Sequence, residues 1–261
     1  MRALDIAATG VQAQQQNVEV IANNIANINT TAFKRQRAEF QDLIYQNLER
    51  PGSATSAAGN LAPLGVQVGL GVRTAAIGRN AEQGPISITD NRYDLAIQGQ
   101  GYFQVTLPTG ETAYTRAGNF AVDDEGQLVT TQGYLIEPAI TIPGEAVDVN
   151  IGRDGVVEVR FAEDPQPQQL GQLTIASFIN PAGLEASGDN LFLETAASGQ
   201  AVIGNPGEQG FGSLQQGALE NSNVNPVQEI SRLIEAQRAY ELNTRVIAAV
   251  DELLQAVGNI R

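Results

Sequence analysis

The chain has 261 residues, no cysteine, no histidine, no tryptophan and a formal net charge of −14. These absences remove thiol and disulfide chemistry and the commonest general base and metal ligand near neutral pH, so any catalysis would rest on carboxylates, hydroxyls and a few basic groups. The charge is uneven: residues 1–45 balance four basic against four acidic groups, while 46–217 hold seven basic against nineteen acidic ones. Such a middle repels a phosphate backbone and excludes nucleic acid as a partner.

Residues 1–33 are predicted to form one amphipathic helix. Leu4, Val11, Val18 and Ile25 recur every seven residues, and Ala7, Ile21 and Ile28 fill the position three later, with Gln14 the polar exception. This is an a/d seam, roughly 50 Å long at ~1.5 Å per residue. Gln and Asn crowd the polar face, among them Gln12, Gln15, Gln16, Asn23, Asn24 and Asn27, at a density that helix propensity does not explain. Lys34-Arg35-Gln36-Arg37 follows as the one basic cluster: either a solvated helix end complementing the C-terminal dipole or a contact for an acidic neighbour. Met1-Arg2-Ala3-Leu4-Asp5 lacks the basic-then-apolar run of a cleavable secretory signal. The expectation is a cytoplasmic protein or one exported without cleavage.

Residues 46–84 change character, with Pro51, Gly52, Gly59, Pro63, Gly65, Gly69 and Gly71 among small residues, and read as an extended linker. Within it the alternation Val66, Val68, Leu70, Val72 predicts a strand. From 85 to 217 the pattern is β throughout. Short runs such as 95–97, 102–105, 147–151 and 156–159 are separated by turn chemistry at Pro108-Thr109-Gly110, Asp124-Glu125-Gly126, Asp154-Gly155 and Pro181-Ala182-Gly183. A sandwich or small barrel is expected.

At the C-terminal end, Asn225 is placed to cap a helix that begins with Pro226, and Gln228 stands where a capping-box partner would. Ile230, Leu233, Ala236, Tyr240, Ile247, Val250, Leu254 and Val257 then follow at helical spacing. The fold class expected is therefore α+β, mainly β. Residues 1–45 and 218–261 form a discontinuous helical core with an antiparallel, coiled-coil-like pair of helices; 46–84 link it to an all-β outer domain at 85–217.

The motifs that carry chemistry elsewhere have bland readings here. Gly99-Gln100-Gly101 has no third glycine and precedes a strand, so a tight turn is favoured over a phosphate loop. Asp123-Asp124-Glu125-Gly126 lacks the alternating ligands and distal acid of a calcium loop and is expected to be a hairpin turn. Carboxylates are plentiful but no pair stands out as a hydrolase dyad. The expected state has no catalytic, cofactor or metal residues. The terminal helices could pack only on each other or on the β domain, yet a ~50 Å helix overhangs a domain of ~14 Å radius of gyration. Uncovered apolar seams mark association, and a head-to-tail contact that does not close gives a helical filament.

The runs Thr9-Gly10-Val11-Gln12-Ala13-Gln14-Gln15 and Ile21-Ala22-Asn23-Asn24-Ile25-Ala26-Asn27-Ile28-Asn29-Thr30-Thr31-Ala32-Phe33-Lys34 resemble the N-terminal signature of flagellar basal-body rod and hook proteins. Ala32 stands where that family usually has glycine. Ser222-Asn223-Val224-Asn225 and Leu233-Ile234-Glu235-Ala236-Gln237-Arg238-Ala239-Tyr240-Glu241 resemble the matching C-terminal signature. Asp94 to Val105 and Tyr114-Thr115-Arg116-Ala117-Gly118-Asn119-Phe120 resemble the shared β core.

The length and the stretch from Tyr45 to Gly71 are most similar to a distal-rod subunit, with a proximal-rod or hook subunit as the alternative. A different class, a β-domain glycan-binding protein or enzyme, competes. The resemblance implies export through the flagellar type III apparatus and polymerisation into a rigid periplasmic tube that transmits torque from motor to hook and reaches the outer membrane. Its implied partners are further copies of itself, proximal-rod subunits, hook subunits, P-ring and L-ring proteins, and the rod cap and export apparatus. The implied subunit interface comprises Leu4, Val11, Val18, Ile21, Asn23, Asn24, Ile25, Asn27, Phe33, Leu233, Gln237, Tyr240, Asn243, Ile247 and Leu254.

Overall fold

The computed structural model describes residues 2–49, 65–162 and 166–258. The architecture is α+β and mainly β, with one long helix at each end and strands between them. The chain divides into two compact units. Unit 1 contains Met1–Ile25, Gln36–Gly78 and Asn225–Arg261; unit 2 contains Ala26–Arg35 and Arg79–Val224.

In unit 1, helix α1 spans Arg2–Ala26 and helix α2 spans Pro226–Gly258. The first is 25 residues long, shorter than the 33-residue helix expected, because the Asn/Thr-rich segment after it makes its own short-range bonds. The Thr30 N–H donates to the Asn27 carbonyl at 3.2 Å, the Thr30 hydroxyl donates to Asn27 Oδ1 at 3.0 Å, and Ala32 turns into the left-handed region at φ 57°. At ~1.5 Å per residue the two helices are about 37 and 50 Å long, so the first falls short of the roughly 50 Å expected of it. The start of α2 is as expected: Asn225 Oδ1 accepts from the Val227 and Gln228 N–H groups at 3.1 and 3.3 Å.

Two contacts fix how these helices pair. A Cβ added at Gly10 would lie 3.1 Å from Asn243 Nδ2, and Asn24 Nδ2 donates to Glu229 Oε2 at 3.0 Å. Moving from Gly10 up to Asn24 on one helix corresponds to moving from Asn243 down to Glu229 on the other, an equal step, so the pair is antiparallel. A strand ribbon flanks α1. Gln36–Asp42 pairs with Val72–Arg79, and Gln46–Glu49 pairs with Val66–Val68. Thr9 Oγ1 accepts from the Val72 N–H at 3.3 Å, the Thr74 hydroxyl donates to the Gln16 side chain, and Asn24 exchanges two 2.8 Å bonds with the Gln36 backbone.

Because the ribbon and α2 cover adjoining flanks, the buried face of α1 is Ala7, Ala13, Val20, Ile21 and Asn24. This face is rotated from the heptad seam, whose a positions Leu4, Val11, Val18 and Ile25 remain half-exposed.

Unit 2 holds a branched antiparallel sheet. Its path runs Glu185–Gly188, Leu191–Leu193, Thr112–Thr115, Tyr102–Thr106, Leu135–Glu137, Leu128–Val129, Ala121–Val122, with Ile175–Ser177 joining Tyr102–Thr106 to Val202–Gly204. A meander of Ala146–Ile151, Val156–Phe161 and Gln168–Gln172 lends its inward residues to the same core. Alternation decides which residues those are: Val157 and Val159 are buried while Glu158 and Arg160 between and beyond them are not. Phe103 and Phe120 meet edge to face at 5.0 Å in that core. Asp123 closes its hairpin by accepting from the Glu125 and Gln127 N–H groups, with Gly126 at φ 83°, so the acidic run is a turn.

Candidate functional site

The most concentrated polar chemistry in unit 2 is a buried triad. The carboxylate of Glu220, on the strand Ala218–Glu220, accepts from Lys34 Nζ and the Gly84 N–H through Oε1 at 2.6 and 2.9 Å. Its Oε2 accepts from Arg116 Nε at 2.6 Å. The rest of the guanidinium donates to the carbonyls of Gly101, Gly99 and Ile97 at 2.7, 2.6 and 3.0 Å, and Lys34 also donates to the Glu82 carbonyl at 2.8 Å. The Gly99–Gly101 turn, with φ 104° and 143° at its glycines, thus presents carbonyls to the Arg116 cation. Burial alone pushes the Glu220 carboxyl up, but Arg116 and Lys34 together hold it below its ordinary value. Lys34 is 7% exposed, so this member of the basic cluster is neither a solvated helix end nor open to a neighbour, whereas Arg37 is exposed. A buried cation requires a paired anion, and Glu220 supplies it from residues far along the chain.

Asn223 adds a neutral stitch. Its Oδ1 accepts from the Arg35 N–H at 2.7 Å, and its Nδ2 donates to the Asn80 and Glu82 carbonyls at 3.1 and 2.9 Å. The Asn80 N–H donates to the Arg35 carbonyl at 2.8 Å, and the Ala32 N–H to the Glu220 carbonyl at 2.8 Å.

In unit 1 the helices show two kinds of surface. Between them, Asn24 and Glu229 are almost wholly buried, and Arg232 Nη1 donates to Glu229 Oε1 at 3.1 Å. On α2 a second apolar stripe faces solvent: Val227 (71% exposed), Ile230, Ile234, Leu242, Val246 and Leu253. At ~100° per residue Val227 and Ile234 lie opposite Glu229, Ala236 and Asn243, the side turned toward α1, while Ile230, Leu242, Val246 and Leu253 lie on its flanks.

The residues expected at a subunit interface fall into distinct groups. Leu4, Val11, Val18 and Ile25 on α1, with Leu233, Asn243 and Ile247 on α2, are half-buried; Asn23, Gln237, Tyr240 and Leu254 are exposed. Ile21 and Asn24 are buried within unit 1. Asn27 and Phe33 lie in the turns of unit 2 after α1, where the Phe33 carbonyl accepts from the Asn223 N–H. Sequence reasoning missed Glu220, Glu229, Arg116 and Asn223 as a structural set. The only available signal was Glu220 between apolar Leu219 and small polar residues in a β pattern, which does not name its partners.

Buried charges that hold distant segments together in one unit, and paired terminal helices with exposed apolar side chains in the other, are features of a structural subunit. Three family models match: flagella basal body rod protein over residues 4–34, flagellar hook protein FlgE/F/G D1 domain over 96–159, and flagellar basal body rod FlgEFG protein C-terminal over 215–260. The chain is 58% identical to the flagellar basal-body rod protein FlgG of Caulobacter vibrioides over 261 residues, all of both chains. It is 48% identical to that of Borreliella burgdorferi, over 100% of this chain and 99% of the relative, and 38% identical to that of Bacillus subtilis with the same coverage. The chain belongs to the flagellar basal-body rod protein family and is a structural component of the flagellar basal body.

Proposed function

We propose that this chain is the subunit of the distal rod, polymerising into the straight tube that carries torque from motor to hook, and that it catalyses no reaction. The observation that carries this reading is the outward apolar surface left after α1 and α2 have paired: Leu4, Val11, Val18 and Ile25 on one helix and Val227, Ile230, Ile234, Leu242, Val246 and Leu253 on the other. An apolar stripe on both helices of a pair needs neighbours on more than one side, as a helical lattice provides and a dimer does not. Full-length similarity to relatives named as flagellar basal-body rod proteins supports it. The interface we propose is centred on these residues together with Asn23, Leu233, Gln237, Tyr240, Ile247 and Leu254. The more acidic 46–217 region faces the outer partners, for which we propose the P and L rings, with proximal-rod and hook subunits at the two ends. Export proceeds by the flagellar type III route without signal cleavage, assisted by the rod cap.

The test is assembly. Concentrated wild-type protein should form straight tubes by electron microscopy, and Val11→Asp with Val18→Asp should keep its helical circular dichroism yet form none. Tubes of undiminished number from the double variant would sink the proposed interface.

A further inference from the structure

The polypeptide passes between its two units four times, at residues 25–26, 35–36, 78–79 and 224–225. Within unit 2 the segments next to those passages share one short pairing, Ile86–Ile88 with Ala218–Glu220, and a few backbone bonds such as Asn80 N–H to the Arg35 carbonyl; buried side chains then tie all of them to one another. Asn223 bonds residues 35, 80 and 82, while Glu220 gathers Lys34, Gly84 and Arg116 around one carboxylate. Arg116 in turn grips the turn at 97–101, which continues into the central strand Tyr102–Thr106.

We propose that Lys34, Arg116, Glu220 and Asn223 form a junction clamp that makes the attachment points on unit 2 move as one body. This deepens the proposed function and rests on it, since a subunit in a torque-carrying tube must not let its separate chain passages slide past one another. The chemistry suits that role better than a purely apolar core would. Apolar contact is non-directional and tolerates sliding. A carboxylate holding three donors and an amide bridging three carbonyl or N–H groups fix both distance and angle. Buried ion pairs are a poor route to stability compared with apolar packing, and their best-attested use is to specify one arrangement. The clamp is anchored at both ends of sequence, with Lys34 just after α1 and Asn223 just before α2, and its third member lies in the middle of the β core. No apolar substitution at one point could reproduce that reach.

The experiment compares Lys34→Met and Asn223→Ala with Arg160→Ala, which breaks an exposed pair with Asp148 and serves as the neutral control. Lys34→Met leaves Glu220 paired with Arg116, and Asn223→Ala removes no charge, so both chains fold. Hydrogen exchange on the purified chains should show amides of 27–35 and 80–84 opening about a hundredfold faster, with those of Tyr102–Thr106 and Val156–Phe161 unchanged. In cells the variants should assemble rods yet swim at less than about half the wild-type speed, a loss set by coupled local opening. Unchanged exchange at the junction overturns the clamp, and so does equal acceleration in the core strands, which would make the cluster a plain stability element. A loosened junction with undiminished swimming overturns its mechanical role. Failure of the underlying reading is separately visible: wild-type chain, followed with an antibody, would then be absent from isolated rods.

Discussion

Ala32 sits at φ 57° with its N–H bonded to the Glu220 carbonyl, a backbone state that disfavours any residue with a Cβ. The family resemblance placed glycine at this position, and the geometry gives the reason. Replacing Ala32 with Gly removes that strain, partly offset by the greater freedom of glycine in the unfolded chain, and should raise stability by about 0.5–1 kcal/mol in urea unfolding. Glu220 is the opposite case, a residue that the structure cannot spare. Its folded pKa is held below the ordinary 4.5, so its contribution is complete above pH 4.5 and is lost as pH falls through the folded value. Glu220→Gln leaves two buried cations uncompensated and should cost about 3 kcal/mol or more at pH 7. Acid titration followed by circular dichroism should show a shallower loss of stability below pH 4.5 in the variant, because one proton-linked group has gone.

At the level of elements, the helix pair is set by small and polar groups more than by its heptads. Gly10 allows Asn243 close approach, and Asn24 with Glu229 fixes the register from the other end. A buried polar pair in an apolar seam specifies alignment because every slipped register leaves it unsatisfied. Asn24→Ala strips partners from both the Gln36 N–H and Glu229, and should destabilise unit 1 by about 1–3 kcal/mol. Thermal melting followed at 222 nm should show the loss in the helical signal. Strand reading failed locally for a similar reason: the alternation from Val66 to Val72 is real, but the strands found are Val66–Val68 and Val72–Arg79, divided at Gly71 with φ 113°. There the backbone runs so close to Thr9 that a Cβ would clash with its hydroxyl, a tertiary approach no local pattern announces.

For the whole molecule, the proposed straightness of the polymer puts the weight on the insert. Residues 50–64, which carry Pro51, Gly52, Gly59 and Pro63, lie outside the described residues. Deleting 46–65 should make purified rods bend more sharply, read as a shorter persistence length in electron micrographs; rods as straight as wild type would contradict a stiffening role for it. The charge distribution acts at the same scale. In the proposed lattice the near-neutral ends would pack with little mutual repulsion, and the excess of acids in 46–217 would discourage lateral sticking.

The sequence by itself determined the α+β class, the two terminal helices, the cap at Asn225 and the hairpin at Asp123. All of these follow from local periodicity or turn stereochemistry, which need no knowledge of distant neighbours. Tertiary structure alone decided which face of α1 is buried and that Lys34, Arg116 and Glu220 form one buried cluster. Those outcomes depend on groups far apart in the chain, 186 positions for Lys34 and Glu220 and 205 for Asn24 and Glu229, and a charge in a sequence carries no mark of the partner that will desolvate it.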